Sequence, residues 1–105
     1  MIAKTCRPPY YAVIFTTLRT EVDEGYEETA YHMENLAKEQ DGYLGIESSR
    51  NELGITVSYW ESLDAIAKWK NNIEHTAARE KGRALWYNEY QLRICKVERD
   101  YGYEK

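Results

Sequence analysis

Stretches with the hydrophobic pattern of β-strands alternate along this chain with stretches whose apolar residues have helical spacing. Apolar residues occupy both alternating sides of the stretch Tyr10–Arg19, which predicts a β-strand that is buried on both faces. The stretches Tyr43–Arg50 and 55–61 have a similar strand-like composition, and a short polar turn separates them. This short connection predicts that they form an antiparallel hairpin.

Two other stretches show helical spacing. The apolar positions of the first are Tyr26, Ala30, Met33 and Ala37. They predict a helix over residues 25–40 that stops at Gly42. The apolar positions of the second are Ala65, Ile66, Trp69 and Ile73. Ser62 precedes this helix and is a suitable N-cap, because its hydroxyl can accept a hydrogen bond from the first turn.

The pair Asn71-Asn72 predicts a break in the second helix. A short helical piece over residues 74–81 then ends at Gly82, and a long strand over residues 86–101 completes the chain. His75 lies just after the break. In one continuous helix it would face solvent, whereas a turn at the Asn pair would let it point inward.

The order of these elements is β-α-β-β-α-β, which is the ferredoxin-like pattern. We therefore predict an α+β fold in one domain, residues 1–105, with a four-stranded antiparallel sheet, helices on one face and a loose lead-in over residues 1–9. Phe15, Tyr59 or Trp60, and Val97 indicate that neither sheet face is polar. The simplest way to cover the second face is another copy of the chain, so we expect a homodimer joined through its sheets.

Composition and charge exclude several classes of protein. The net charge is −4 with no basic cluster, which argues against nucleic acid as a partner. No apolar run is long enough to span a membrane, and the first residues lack the apolar core of a signal peptide, so we expect a cytoplasmic protein. In that compartment Cys6 and Cys95 are expected to be free thiols. Ten Tyr residues suit a pocket, an interface or a sheet surface.

Several segments also resemble one known family. They are residues 11–15 (YAVIF), 42–48 (GYLGIES), 55–62 (ITVSYWES), 65–70 with His75, and 86–99. At these positions the chain is similar to the antibiotic biosynthesis monooxygenase-like proteins, whose fold is a dimeric α+β barrel. The resemblance covers nearly the whole chain and is specific for the fold. The same fold also hosts other activities, so it constrains the reaction less.

The resemblance implies a monooxygenase that needs no metal or organic cofactor, because a deprotonated phenol or quinol can itself reduce oxygen. His75 would be the base, or a donor that orients the substrate. Arg79 or Arg93 would hold an anionic oxygen. The pocket for a small apolar or aromatic molecule would lie between sheet and helices. Its expected lining is Phe15, Tyr59, Trp69, Arg79 and Trp86.

Other readings of these residues stay open. Trp69 and Tyr59 also fit as packing residues, and His75 at a helix start could simply bond to nearby backbone. Relatives that degrade haem use an Asn on the first strand, a Trp on the second helix and a His about ten residues after that Trp. Trp69 fits this pattern, whereas the first strand has no Asn and Arg79 stands at the position of the His, so a haem-binding or haem-degrading protein is the less favoured alternative. A dimeric binding or stress protein without turnover is the main alternative from a different functional class.

Overall fold

The computed structural model describes residues 2–105. Residues 2–105 form four strands, three α-helices and one π-helical turn. In chain order these are β1 (Tyr10–Arg19), α1 (Tyr26–Lys38), β2 (Tyr43–Arg50), β3 (Gly54–Trp60), α2 (Leu63–Lys70), α3 (Ile73–Lys81), the π turn (Gly82–Trp86) and β4 (Tyr87–Val97). No helix of the described chain is both long and apolar enough to cross a membrane.

The strands form one antiparallel sheet in the order β2-β3-β1-β4. This confirms the predicted ferredoxin-like topology. Residues opposite one another in the register share a face of the sheet. The helix face carries Tyr11, which pairs with Trp60, and Phe15, which pairs with Leu92. The opposite side, here called the open face, carries Ala12 and its partner Tyr59.

The core lies at one end of the helix face. Its buried members are Ala37, Trp60, Ala65 and Ile66, with Tyr11, Val13, Tyr43 and Trp69 packed around them. Trp60 is fully buried. Its indole Nε1 donates to Ser58 Oγ at 2.9 Å, so burial leaves no unpaired donor on this side chain. A buried ring of this size is among the larger single contributors to core stability.

Gly42 sets the path from α1 into β2. Its φ of 85° lies in the left-handed region, and a Cβ at this position would stand 2.6 Å from Ala65 Cβ. Both constraints favour glycine here, as predicted from its place after the helix. α1 itself is slightly shorter than the expected 25–40, because Gly25 is also left-handed and lies outside the helix.

The predicted break between α2 and α3 is present. Ser62 Oγ accepts from Ala65 N at 3.1 Å and begins α2. Asn72 Oδ1 accepts from Glu74 N at 3.0 Å and from His75 N at 3.1 Å, and so begins α3. The assignment of Ile73 to the apolar stripe was wrong. Because the helix ends before it, Ile73 starts the next helix and its side chain is 86% exposed.

The C-terminal part differs from expectation in two details. α3 ends at Lys81 with Gly82 as its C-cap, as expected, but Gly82 is not left-handed, and its φ of −59° and ψ of −47° continue the chain into the π turn. Trp86 therefore belongs to the π turn and not to the last strand. β4 ends at Val97, and residues 98–105 carry no regular secondary structure.

The N-terminal segment is held against the open face and is not loose. Ala3 N donates to Glu47 Oε2 at 3.0 Å, and Ala3 packs where Gly45 has no side chain. At the end of the segment Tyr10 donates its hydroxyl to Asp100 in the C-terminal tail. Residues 2–9 form no strand, and Ala3 contacts the open face at Glu47 and Gly45. Both cysteines are free thiols, as expected.

Candidate functional site

His75 and Trp69 stack on each other where α2 meets α3. Their ring centroids are 4.1 Å apart, and the ring planes differ by 11°. The break between the helices produces this arrangement, since the Asn72 cap turns the first residues of α3 back toward α2. His75 is half-buried and does not point away from the protein, as one continuous helix would require. The turn on which the sequence interpretation depended is therefore real.

One hydrogen bond determines which nitrogen of His75 carries the proton. Nδ1 lies 2.8 Å from the backbone oxygen of Trp69. A carbonyl oxygen only accepts, so Nδ1 must be the protonated nitrogen, and in the neutral ring Nε2 keeps its lone pair. Among the side chains of residues 2–105, none bonds to Nε2. The ring is thus oriented as a base with its reactive nitrogen available.

The surroundings of His75 favour its neutral form. Burial lowers the pKa of His75, the hydrogen bond to Trp69 opposes this, and the positive charge of Arg79 lowers it further. The net direction is below the ordinary value of 6.5. At neutral pH the imidazole is therefore uncharged and able to accept a proton.

Arg79 lies beside this imidazole on α3. Its Nη2 donates to the backbone oxygen of Lys70 at 3.2 Å and to Thr76 Oγ1 at 3.4 Å. Its Nε is buried without a partner in the described part of the chain. The guanidinium therefore caps the end of α2 and supplies positive charge near His75, where an anion would benefit from it.

The stack continues into the core. Trp60 and Trp69 have ring centroids 6.1 Å apart with planes inclined by 25°. Trp60, Trp69 and His75 thus form one aromatic stack that runs from a fully buried residue to a half-buried one. Because Trp60 cannot move without disturbing the core, it holds Trp69 and His75 on a rigid base.

The structure separates the other expected lining residues from this stack. Trp86 is buried in the π turn, where its Nε1 donates to Glu24 O at 3.1 Å and its ring packs edge-on against Tyr26 at 5.6 Å. Phe15 belongs to the same region, since its ring contacts Tyr87 at 5.6 Å. These residues are on the helix face, but none of them contacts Trp69 or His75 in the aromatic pairs described.

Tyr59 and Arg93 lie on the open face. The Tyr59 hydroxyl donates to Glu47 Oε1 at 2.6 Å, and burial together with this carboxylate raises the pKa of Tyr59 to about 12. Arg93 pairs with Ile14, whose side also faces away from the helices. The structure therefore does not bring either residue to a pocket between sheet and helices, and of the two suggested arginines only Arg79 lies near His75.

A second aromatic group near the start of β4 was missed from the sequence. Tyr87 is its centre, and Arg19 stacks on its neighbour Tyr26 with 3.5 Å between Cζ and the ring centroid. Burial and a hydrogen bond with Tyr26 raise the pKa of Tyr87, while Arg50 and Arg19 oppose the rise. The abundance of Tyr was a general sign of such a group. Its location depended on the register of the strands, which the sequence does not show.

Comparison with known proteins identifies the family. The model of the antibiotic biosynthesis monooxygenase family matches residues 9–81. The chain belongs to this family. The matched residues include β1, α1, the hairpin of β2 and β3, α2, and α3 with His75.

One curated relative is close in sequence. It is YqjZ of Bacillus subtilis, described as an uncharacterised protein, which is 54% identical over 100 residues. The alignment covers 93% of this chain and 88% of YqjZ. The two proteins are thus similar over nearly their full lengths. Because YqjZ is uncharacterised, this similarity does not indicate an activity.

Several solved structures share the fold at low sequence identity. SnoaB, a cofactor-independent oxygenase from Streptomyces nogalater, has a TM-score of 0.75 at 10% identity, covering 89% of this chain and 97% of SnoaB. Rv0793 from Mycobacterium tuberculosis has a TM-score of 0.78 at 10% identity, covering 89% and 99%. At these identities the likeness shows the fold alone.

Proposed function

We propose that this antibiotic biosynthesis monooxygenase family member is a cofactor-independent monooxygenase that oxidises a small aromatic, quinol-type molecule. The site would lie on the helix side of the sheet beside His75 and Trp69. The observation that carries the proposal is the oriented imidazole, with Nδ1 on Trp69 O and Nε2 available. A resemblance in fold to SnoaB, a cofactor-independent oxygenase, supports the same reaction class.

The chemistry that this site would perform starts with a proton transfer. His75 Nε2 removes the proton of a phenolic hydroxyl, and the phenolate that forms is far easier to oxidise than the phenol. The phenolate then reduces oxygen directly. Overall, a phenol and O₂ give a quinone and water: one oxygen atom becomes the new carbonyl, the other leaves as water, and the substrate supplies all the electrons.

The neighbouring residues have distinct parts in this proposal. Trp69 holds the imidazole of His75 in its orientation, because the two rings are stacked with their centroids 4.1 Å apart. Arg79 stabilises the phenolate, because its charge already acts on His75 at short range. Tyr59 and Arg93 have no part in it, since they lie on the open face.

The test is oxygen uptake by the purified protein with a panel of naphthols and quinols. We expect uptake that requires protein, and we expect His75→Ala to lower it about 100-fold or more, the usual loss when a general base is removed. Added imidazole should restore part of the activity of this variant. Rescue of that kind needs a missing proton acceptor and would not repair a merely destabilised fold.

The matched control is His32→Ala. His32 is the other histidine of the chain, exposed on α1 and 3.1 Å from Glu74 Oε1, so its loss should leave uptake unchanged. Equal losses in the two variants would contradict the role of His75. If ligands bind to the wild-type protein but no member of the panel causes oxygen uptake, the protein is a binding protein of this fold and the proposed reaction is wrong.

A further inference from the structure

The Arg50 side chain lies across the sheet at the end farthest from His75. Arg50 in β2, Gly54 in β3 and Thr17 in β1 stand opposite one another in the register. Arg50 Nη2 donates to Thr17 Oγ1, so the guanidinium passes over β3 to reach β1. A Cβ on Gly54 would collide with this guanidinium. Because Gly54 has no side chain, the side chain of Arg50 can lie flat across β3 on the helix face.

This guanidinium has no acidic partner. Among residues 2–105 no carboxylate forms an ion pair with Arg50, and Thr17 satisfies only one of its five N–H donors with an uncharged oxygen. Arg19 differs, because Asp23 Oδ1 lies 3.1 Å from its Nη2. The charge of Arg50 is thus positioned but not neutralised, which is the condition for binding an anion from solution.

An apolar surface lies directly beside this charge. The next positions on the helix face are Thr56, Phe15 and Leu92, which are aligned across β3, β1 and β4. Phe15 is half-buried and Leu92 is 44% exposed, so both present apolar surface next to the cation. The Tyr87 ring closes one side, packed edge-on against Phe15 at 5.6 Å.

We propose that Arg50, positioned by Thr17 and Gly54, binds the carboxylate of a small aromatic acid whose ring rests on Phe15 and Leu92. A planar guanidinium matches a carboxylate with two parallel hydrogen bonds, and a flat apolar surface matches an aromatic ring. Neither the guanidinium nor the apolar surface alone would select this class of ligand. The selection arises because the two are adjacent.

This site is separate from the one proposed for oxidation. Thr17 lies six residues along β1 from Tyr11, the partner of Trp60, which is about 20 Å at the usual rise of a strand. A ligand of one or two rings does not span that distance. Binding here does not depend on His75, so this proposal and the proposed reaction can fail independently.

The experiment titrates the ¹⁵N-labelled protein with 1-naphthoate and with the uncharged 1-naphthamide. We expect naphthoate to bind at least about tenfold more tightly, since hydrogen bonds to an ionised acceptor are the stronger ones. It should shift the backbone amide signals of Phe15 and Gly54. The amide of Gly42, at the opposite end of the sheet beside Ala65, should not move.

Two variants test the role of Arg50 in different ways. Arg50→Gln removes the charge, and it should lower the affinity for naphthoate to that for naphthamide. Gly54→Ala keeps the charge but pushes the guanidinium away, and it should weaken naphthoate binding as well. The clash in Gly54→Ala involves only the flexible end of a side chain, so this variant is expected to fold.

Arg93→Gln is the matched control, because it makes the same change of charge on the open face. It should leave naphthoate binding unchanged. Four results would each overturn the site: no binding of naphthoate, equal affinities for acid and amide, amide shifts confined to the Gly42 end, or an equal loss in Arg93→Gln and Arg50→Gln.

Discussion

For two side chains of this protein, His75 and Arg50, a single hydrogen bond determines which chemical role the side chain can take. The bond from His75 Nδ1 to the Trp69 carbonyl orients the ring and leaves Nε2 as the basic nitrogen. The bond from Arg50 to Thr17 holds a guanidinium flat on the sheet. In both cases the residue type allows several roles, and one contact across the fold selects one of them.

At this scale the lowered pKa of His75 predicts how stability depends on pH. The unfolded chain takes up a proton as the pH falls through 6.5, whereas the folded protein takes it up only at lower pH. Between these two values the unfolded state binds more protons. The free energy of unfolding should therefore fall as the pH falls, with a slope from this group of at most about 1.4 kcal/mol per pH unit.

The measurement is urea unfolding at a series of pH values below 7, for the wild-type protein and for His75→Gln. The variant should lose this part of the pH dependence. His32→Gln, which changes an exposed histidine, should keep it. The same pH dependence in the wild-type protein and in His75→Gln, or a steeper loss of stability in the variant as the pH falls, would contradict the lowered pKa of His75.

At the scale of elements, the break at Asn71-Asn72 creates the site. α2 delivers Trp69 and α3 delivers His75, and only the turn between them brings the two rings face to face. The break is encoded locally, because the Asn72 side chain accepts hydrogen bonds from the backbone amides of Glu74 and His75 in the first turn of α3. A helix former in place of Asn72 would remove the signal that starts the new helix.

Asn72→Ala is therefore expected to lower the free energy of unfolding by about 1 kcal/mol, the usual cost of losing an N-cap. It should also loosen the stack, which an NMR titration would show as a His75 pKa closer to the ordinary value. Asn71→Ala is the control. Asn71 has a φ of −89° and makes no side-chain hydrogen bond in the described structure, so its stability change should stay within about 0.5 kcal/mol.

At the scale of the whole molecule, the open face has more apolar surface than one chain covers. The N-terminal segment shields only part of it, around Gly45 and Tyr10. Leu18 and Ile55, which also lie on this face, remain 40% and 41% exposed. The prediction of a homodimer joined through the sheets is based on this surface.

Light scattering after gel filtration tests this prediction. The wild-type particle should have twice the 12.4 kDa mass of the chain. Ile55→Asp would place an unpaired charge in the interface and should produce single chains. Ile94→Asp makes the same change at a residue that is 51% exposed on the helix face, and it should leave the dimer intact. A wild-type mass of one chain, or dissociation in both variants, would show that the open face is not the interface.

Local sequence was sufficient for the elements and their order. The apolar run of β1 and the helical spacing of α1 depend only on neighbours along the chain, as do the N-cap at Ser62 and the left-handed Gly42. These signals, together with the family resemblance, predicted the ferredoxin-like fold. The errors fell at Ile73 and Trp86, where the chain leaves one element for another and packing overrides local preference.

The tertiary structure alone decided which residues meet. A shift of one residue along a strand moves a side chain to the other face, so the separation of Tyr59 from Phe15 followed from the register of the sheet. The reach of Arg50 across Gly54 to Thr17 likewise joins three strands that are distant in sequence. Periodicity describes each element by itself, whereas a binding site is a relation between elements that only their packing establishes.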